Sequence, residues 1–124
     1  MKQIPAGLDT GIFKGRRVDH VTFAEFSIFI GFDPRNPFGL DDRISIRIEH
    51  AYEHSVPGSP VERGAVQSRI AGSGLMNLCG RSVVESDPNC LHLTFDDGQE
   101  LLLICGTGPY ESYAVQHGDA EYVV

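Results

Sequence analysis

The chain has 124 residues, a length that suits one domain able to bury roughly two-thirds of its unfolded surface without disulfide or metal staples. Its apolar fraction of 41% and charged fraction of 22% exclude a disordered or coiled-coil chain. A formal charge of −7 opposes binding to phosphate backbones unless a basic patch is present, and 14 glycines with 7 prolines ask for many turns and short strands.

The N-terminal run Met1-Lys2-Gln3-Ile4-Pro5-Ala6-Gly7 lacks the apolar region of a signal peptide, and no stretch approaches the ~18 apolar residues of a membrane span. The expectation is a cytoplasmic protein with no membrane contact. Lys14, Arg16 and Arg17 form the only basic cluster and Asp19 follows at once, so no nucleic-acid partner is expected.

Residues 18–23 and 26–32 are rich in β-branched and aromatic types and read as two strands around an Ala24-Glu25 turn. In the second, Phe26, Ile28, Ile30 and Phe32 share one face, while Phe29 predicts partial cover on the other. Residues 33–42 hold two prolines, a glycine and three aspartates, cannot continue a ladder, and read as an exposed loop. Ile44, Ile46 and Ile48 then alternate with Ser45, Arg47 and Glu49 as a half-buried strand does, and the same parity puts His50, Tyr52 and His54 on the isoleucine face.

Residues 55–60 are a turn-rich break. Residues 61–78 hold the only helix material, with Ala65, Val66, Ile70, Leu75, Met76 and Leu78 at partial helical spacing and Gly72-Ser73-Gly74 dividing it into one or two short helices. A second β region begins at 81–85. Leu91, Leu93 and Phe95 alternate with His92 and Thr94, and Asp97-Gly98 predicts a tight type I′ hairpin into a return strand at 100–105, whose Leu101-Leu102-Leu103-Ile104 run predicts burial on both faces. Residues 106–109 turn the chain into a strand at 110–115, and His117-Gly118 turns it into a last one at 121–124.

The two halves match in order. Phe13-Lys14-Gly15-Arg16-Arg17-Val18 resembles Leu78-Cys79-Gly80-Arg81-Ser82-Val83; 26–30 matches 91–95, 44–48 matches 101–105, and Tyr52-Glu53 matches Tyr110-Glu111. This predicts one domain over 1–124 with an internal pseudo-repeat at about 12–54 and 77–115. The fold class expected is mainly β, with α+β as its variant: two antiparallel β-meanders forming a sandwich or one curved sheet, with the short helices between the halves.

The run Leu93 to Gly98, which spells L-x-F-x-D-G, followed by an apolar strand and Tyr110-Glu111-Ser112-Tyr113, resembles a family of small uncharacterised bacterial β-rich domains that also carry an earlier start like Leu78, Gly80 and Val83. Such domains are similar in size and charge to immunity proteins of bacterial toxin systems. The resemblance implies a protein partner such as a toxin.

Candidate chemistry is sparse. His50-Ala51-Tyr52-Glu53-His54 spells H-x-x-E-H, but on a strand its two histidines lie roughly 13 Å apart, too far to share one metal. Gly106-Thr107-Gly108 follows a strand yet precedes another strand, leaving no helix N-terminus for a phosphate. Gly72-Ser73-Gly74 lacks the nucleophile-elbow spacing, and 33–42 has too few spaced acids for a calcium loop. Cys79, Cys90 and Cys105 leave one thiol unpaired under any scheme and read as reduced, buried thiols. No catalytic residue, metal or cofactor is therefore expected.

The acidic tips Asp41, Asp42, Asp96, Asp97 and Glu100 are the expected contacts for a basic partner. His50, Tyr52, His54, Tyr110 and Glu111 are the candidate ligand site. The leading expectation is a non-enzymatic protein-binding domain, with an immunity protein as its specific form. The alternatives are a ligand-binding or enzymatic domain with a pocket between the meanders, and a structural homodimer paired through the edge strand at 121–124 rather than a monomer.

Overall fold

The computed structural model describes residues 4, 7–25, 27–34, 43–65, 73–104 and 113–123. Ten strands follow in chain order: β1 (Val18–Phe23), β2 (Ile28–Phe32), β3 (Ile44–Ile48), β4 (Ala51–Ser55), β5 (Glu62–Ala65), β6 (Val83–Ser86), β7 (His92–Phe95), β8 (Glu100–Ile104), β9 (Tyr113–His117) and β10 (Ala120–Val123). Two 3-10 turns, Thr10–Phe13 and Ser73–Leu78, precede β1 and β6. The strands form two five-stranded antiparallel sheets, ordered β1-β2-β3-β9-β10 and β5-β4-β8-β7-β6. The mainly β expectation holds, and of its two forms the sandwich is the one observed. No helix among the described residues is long and apolar enough to cross a membrane.

The sheets share strands between the halves. After β3 the chain crosses at Glu49-His50, and β4 pairs with β8 of the other sheet, Tyr52 opposite Leu103. Later β9 pairs with β3, Tyr113 opposite Ile48. Both tyrosines are fully buried. Tyr110, which the sequence matches to Tyr52, lies outside the described residues. Strand pairing sets Phe32 opposite Val18 and Phe95 opposite Val83.

One core forms between the sheets. Ile28, Ile30, Ile44, Ile46, Ile48 and Val115 supply it from the first sheet, and Tyr52, Leu91, Leu93, Phe95, Leu101 and Leu103 from the second. Phe13, Leu75 and Leu78 join it from the 3-10 turns. Each fully buried aliphatic side chain contributes about 1.5–3 kcal/mol by leaving water. Four backbone bonds stitch the halves near these turns: Gly15 N–H to Val83 O (2.8 Å), Gly80 N–H to Val18 O (2.9 Å), Val18 N–H to Arg81 O (2.9 Å) and Val83 N–H to Arg16 O (2.8 Å). Gly15 and Gly80, with φ of +84° and +81°, supply the left-handed residue after each turn.

Three sequence expectations are corrected. The helix material at 61–78 begins instead with β5, because Tyr52 and Gly64 pair across the ladder; the only helical piece described there is the 3-10 turn Ser73–Leu78. His50 does not sit on the isoleucine face: the chain bends there to change sheets, which leaves His50 exposed. The Asp97-Gly98 hairpin is not type I′, since only Gly98 has positive φ, at +88°. Gly98 N–H donates to Phe95 O (3.0 Å) and Phe95 N–H to Gln99 O (2.8 Å), so a type I turn is followed by a glycine bulge in a three-residue loop.

Gly80→Ala meets no atom within 4 Å and introduces only backbone strain, whereas a Cβ on Gly98 lies 2.9 Å from Pro57 Cγ. Chemical denaturation should show a loss of about 1–2 kcal/mol for Gly80→Ala and about 2–3 kcal/mol for Gly98→Ala. Equal losses would contradict the Pro57 contact.

Candidate functional site

Two polar constellations stand out. The first lies where β4, paired with β5 on one side, meets the β7–β8 hairpin on the other. The ladder sets His54 opposite Glu62 and Tyr52 opposite Gly64. A Cβ on Gly64 would fall 2.2 Å from Tyr52 Cζ, so the tyrosine ring occupies the space that the glycine leaves. Tyr52 is 0% exposed, and its hydroxyl has no hydrogen-bond partner among the described residues. Burial, with the nearby Glu62 charge, pushes that hydroxyl up to about 12, so it stays protonated at neutral pH.

His54 is 2% exposed, and its Nε2 lies 2.8 Å from Gln99 Oε1. Gln99, itself 3% exposed, donates its amide hydrogens to Asn77 O (3.0 Å) and to Asp97 Oδ2 (2.7 Å). With both hydrogens spent, the glutamine oxygen faces His54 as acceptor. This network assigns the imidazole proton to Nε2 and leaves a lone pair on Nδ1 in the neutral ring. Asp97 also accepts from Gln99 N–H (3.2 Å) and pairs with Arg81 (3.3 Å). Desolvation raises the Asp97 carboxyl, but the two Gln99 hydrogen bonds, the Arg81 charge and its own backbone N–H outweigh that and hold it below the ordinary value.

The second constellation lies outside, on the β6–β7 hairpin. Glu85, Ser86, Asp87, Pro88, His92 and Thr94 line a groove of about 360 Å³. Its turn is firmly built. Asp87 Oδ1 accepts from Asn89 N–H (2.8 Å), Asp87 N–H donates to His92 O (3.1 Å), and Thr10 Oγ1 donates to Asp87 O (2.8 Å). His92 Nε2 lies 3.0 Å from Glu100 Oε1 of β8, which brings a third carboxylate beside the groove.

The structure thus brings Tyr52 and His54 together and separates both from His50. Tyr110, Glu111, Asp41 and Asp42 lie outside the described residues. Asp96 is exposed at the hairpin tip, Asp97 is held by Gln99 and Arg81, and Glu100 borders the groove. Glu53 ion-pairs with Arg63 at 2.7 Å. Cys79 and Cys90 form no disulfide, and Cys105 lies outside the described residues. No group of three or more His, Cys, Asp or Glu is placed to hold a metal among the described residues. Sequence reasoning missed Gln99, although its parity with Leu101 and Leu103 marks an inward position. It also missed Glu62, Glu85, Asp87 and His92, whose roles depend on which strands pair.

Gln99→Leu strands the His54 proton and the Asn77 carbonyl, and equilibrium unfolding should show a loss of about 2–4 kcal/mol. Tyr52→Phe removes a hydroxyl without a partner and should leave stability at neutral pH unchanged or raised; a loss above about 1 kcal/mol would mean that the hydroxyl is bonded. The Tyr52 value is raised in the folded state. Above about pH 10 the unfolded chain therefore sheds a proton that the folded chain keeps, and stability falls as pH rises toward 12. Wild type should lose roughly 2–3 kcal/mol more than Tyr52→Phe over that window. Parallel pH profiles would contradict the assignment.

Comparison with protein-family models, with curated proteins and with solved structures finds no match for this chain.

Proposed function

We propose that this chain is a non-enzymatic protein-binding domain that recognises a basic partner, and that its specific role is that of an immunity protein neutralising a bacterial toxin. The observation that carries the reading is the groove on the β6–β7 hairpin, where Glu85 and Asp87 line one cavity and Glu100 stands beside it through His92. Neither lysine nor arginine is among the lining residues. A net charge of −7 steers a basic surface toward such a groove and raises its association rate. The tight turn at Asp87 means that little ordering is needed on binding.

The toxin role draws on the small size, the acidic charge and the resemblance to immunity proteins of toxin systems. The product of the adjacent open reading frame is the natural partner to test, by co-expression and by calorimetric titration. The domain should protect cells from that product, and Glu85→Lys with Asp87→Lys should weaken binding at least tenfold, with affinity falling as salt rises. Absence of binding and protection, or full affinity in the charge-reversed variant, would overturn the reading.

A further inference from the structure

We infer that the partner's contact surface extends from the acidic groove onto the outer face of β8, where Leu102 and Ile104 receive an apolar side chain presented beside the partner's basic one. The inference rests on the groove reading above and adds an apolar subsite to it. Leu101 and Leu103 are buried in the core, so alternation turns Leu102 and Ile104 to the opposite face of the sheet, where both are half-buried. Glu100 shares that parity, and its 3.0 Å contact with His92 places the groove wall on the same face.

The ladder registers fix the surroundings. Leu102 stands opposite His92 of β7 on one side and Glu53 of β4 on the other, roughly 5 Å from each between Cβ atoms. Ile104 lies two residues further along and faces Ala51. An apolar centre is thus bounded by Glu100 and the groove acids Glu85 and Asp87 on one flank and by Glu53, paired with Arg63 at 2.7 Å, on the other. The fold does not require leucine and isoleucine here. β3 holds the same third place in the first sheet, and its outward positions are Ser45 and Arg47, the latter bonded to Glu49 (2.9 Å) and Glu121 (3.4 Å). One outer face is closed by its own ion pairs, while the other joins an apolar centre to an acidic rim, the composition of a protein-binding surface. The rim charge selects a basic occupant, and the centre selects an apolar residue next to it.

The probes are acetyl-Lys-Gly-Leu-amide and acetyl-Lys-Gly-Gly-amide, followed by NMR through the backbone amides of Glu85 and Asp87 and the methyl groups of Leu102 and Ile104. Both peptides should shift the two amides, with half-saturation on the order of 1 mM or weaker for such small ligands. Only the leucine peptide should shift the methyl groups, and it should bind several-fold tighter. Leu102→Ser, which copies the polar residue that β3 carries, should remove that advantage and leave binding of the glycine peptide unchanged; Leu102→Thr, which favours the strand, decides if the serine variant does not fold. Equal affinities of the two peptides for the wild type, or a leucine advantage that survives in the folded variant, would overturn the apolar subsite while the groove reading stands on the amide shifts. No amide shift from either peptide would overturn both.

Discussion

Everything in this domain depends on the exchange of strands between its halves. β4 lies between β5 and β8, and β9 lies between β3 and β10, so each sheet is completed by a hairpin from the other half. Neither sheet has its full width without the other half. The same exchange carries Tyr52 and Tyr113 into the core, each opposite an apolar residue of a strand from the other half, Leu103 and Ile48. The stitch at Gly15, Val18, Gly80 and Val83 then ties the edge strands β1 and β6 together at one end.

Both polar constellations follow from that exchange. His54 meets Gln99 only because β4 has left the sheet of β3 and joined β8. The relay from His54 through Gln99 to Asp97, Asn77 and Arg81 fastens the hairpin tip and the second 3-10 turn to the middle of the sheet. The charged members of the relay, Asp97 and Arg81, pair at its surface end, which avoids burying an unpaired carboxylate. The outer groove is held by similar short-range means, with Thr10 of the first 3-10 turn bonded to the Asp87 carbonyl. The first half of the chain thereby shapes a surface built on the second.

Much of the sheet structure was legible in the sequence, because alternation reports which face is buried. Ile44, Ile46 and Ile48, and then Leu91, Leu93 and Phe95, lie on the core side as their spacing predicts. What alternation cannot report is which sheet a strand joins. His50, Tyr52 and His54 share a parity, yet the crossing at Glu49-His50 exposes the first and buries the other two. Local propensity failed at β5, which falls in the stretch read as helix material and where Gly64 leaves the space that the Tyr52 ring fills. At Asp97 the turn chemistry was read correctly as a hairpin but one residue too short, because an aspartate that accepts from Gln99 N–H does not need positive φ. The groove acids Glu85 and Asp87 carry no spacing signal. They become neighbours of His92 through the β6–β7 pairing alone.

The most direct test of the strand exchange is to split the chain within 66–72 and study the fragments 1–68 and 69–124, separately and mixed. Each fragment lacks the hairpin that completes its sheet. Circular dichroism and denaturant titration should show no cooperative unfolding for either fragment alone, and a cooperative transition with restored β signal for an equimolar mixture. A fragment that unfolds cooperatively by itself would contradict the interlocked arrangement.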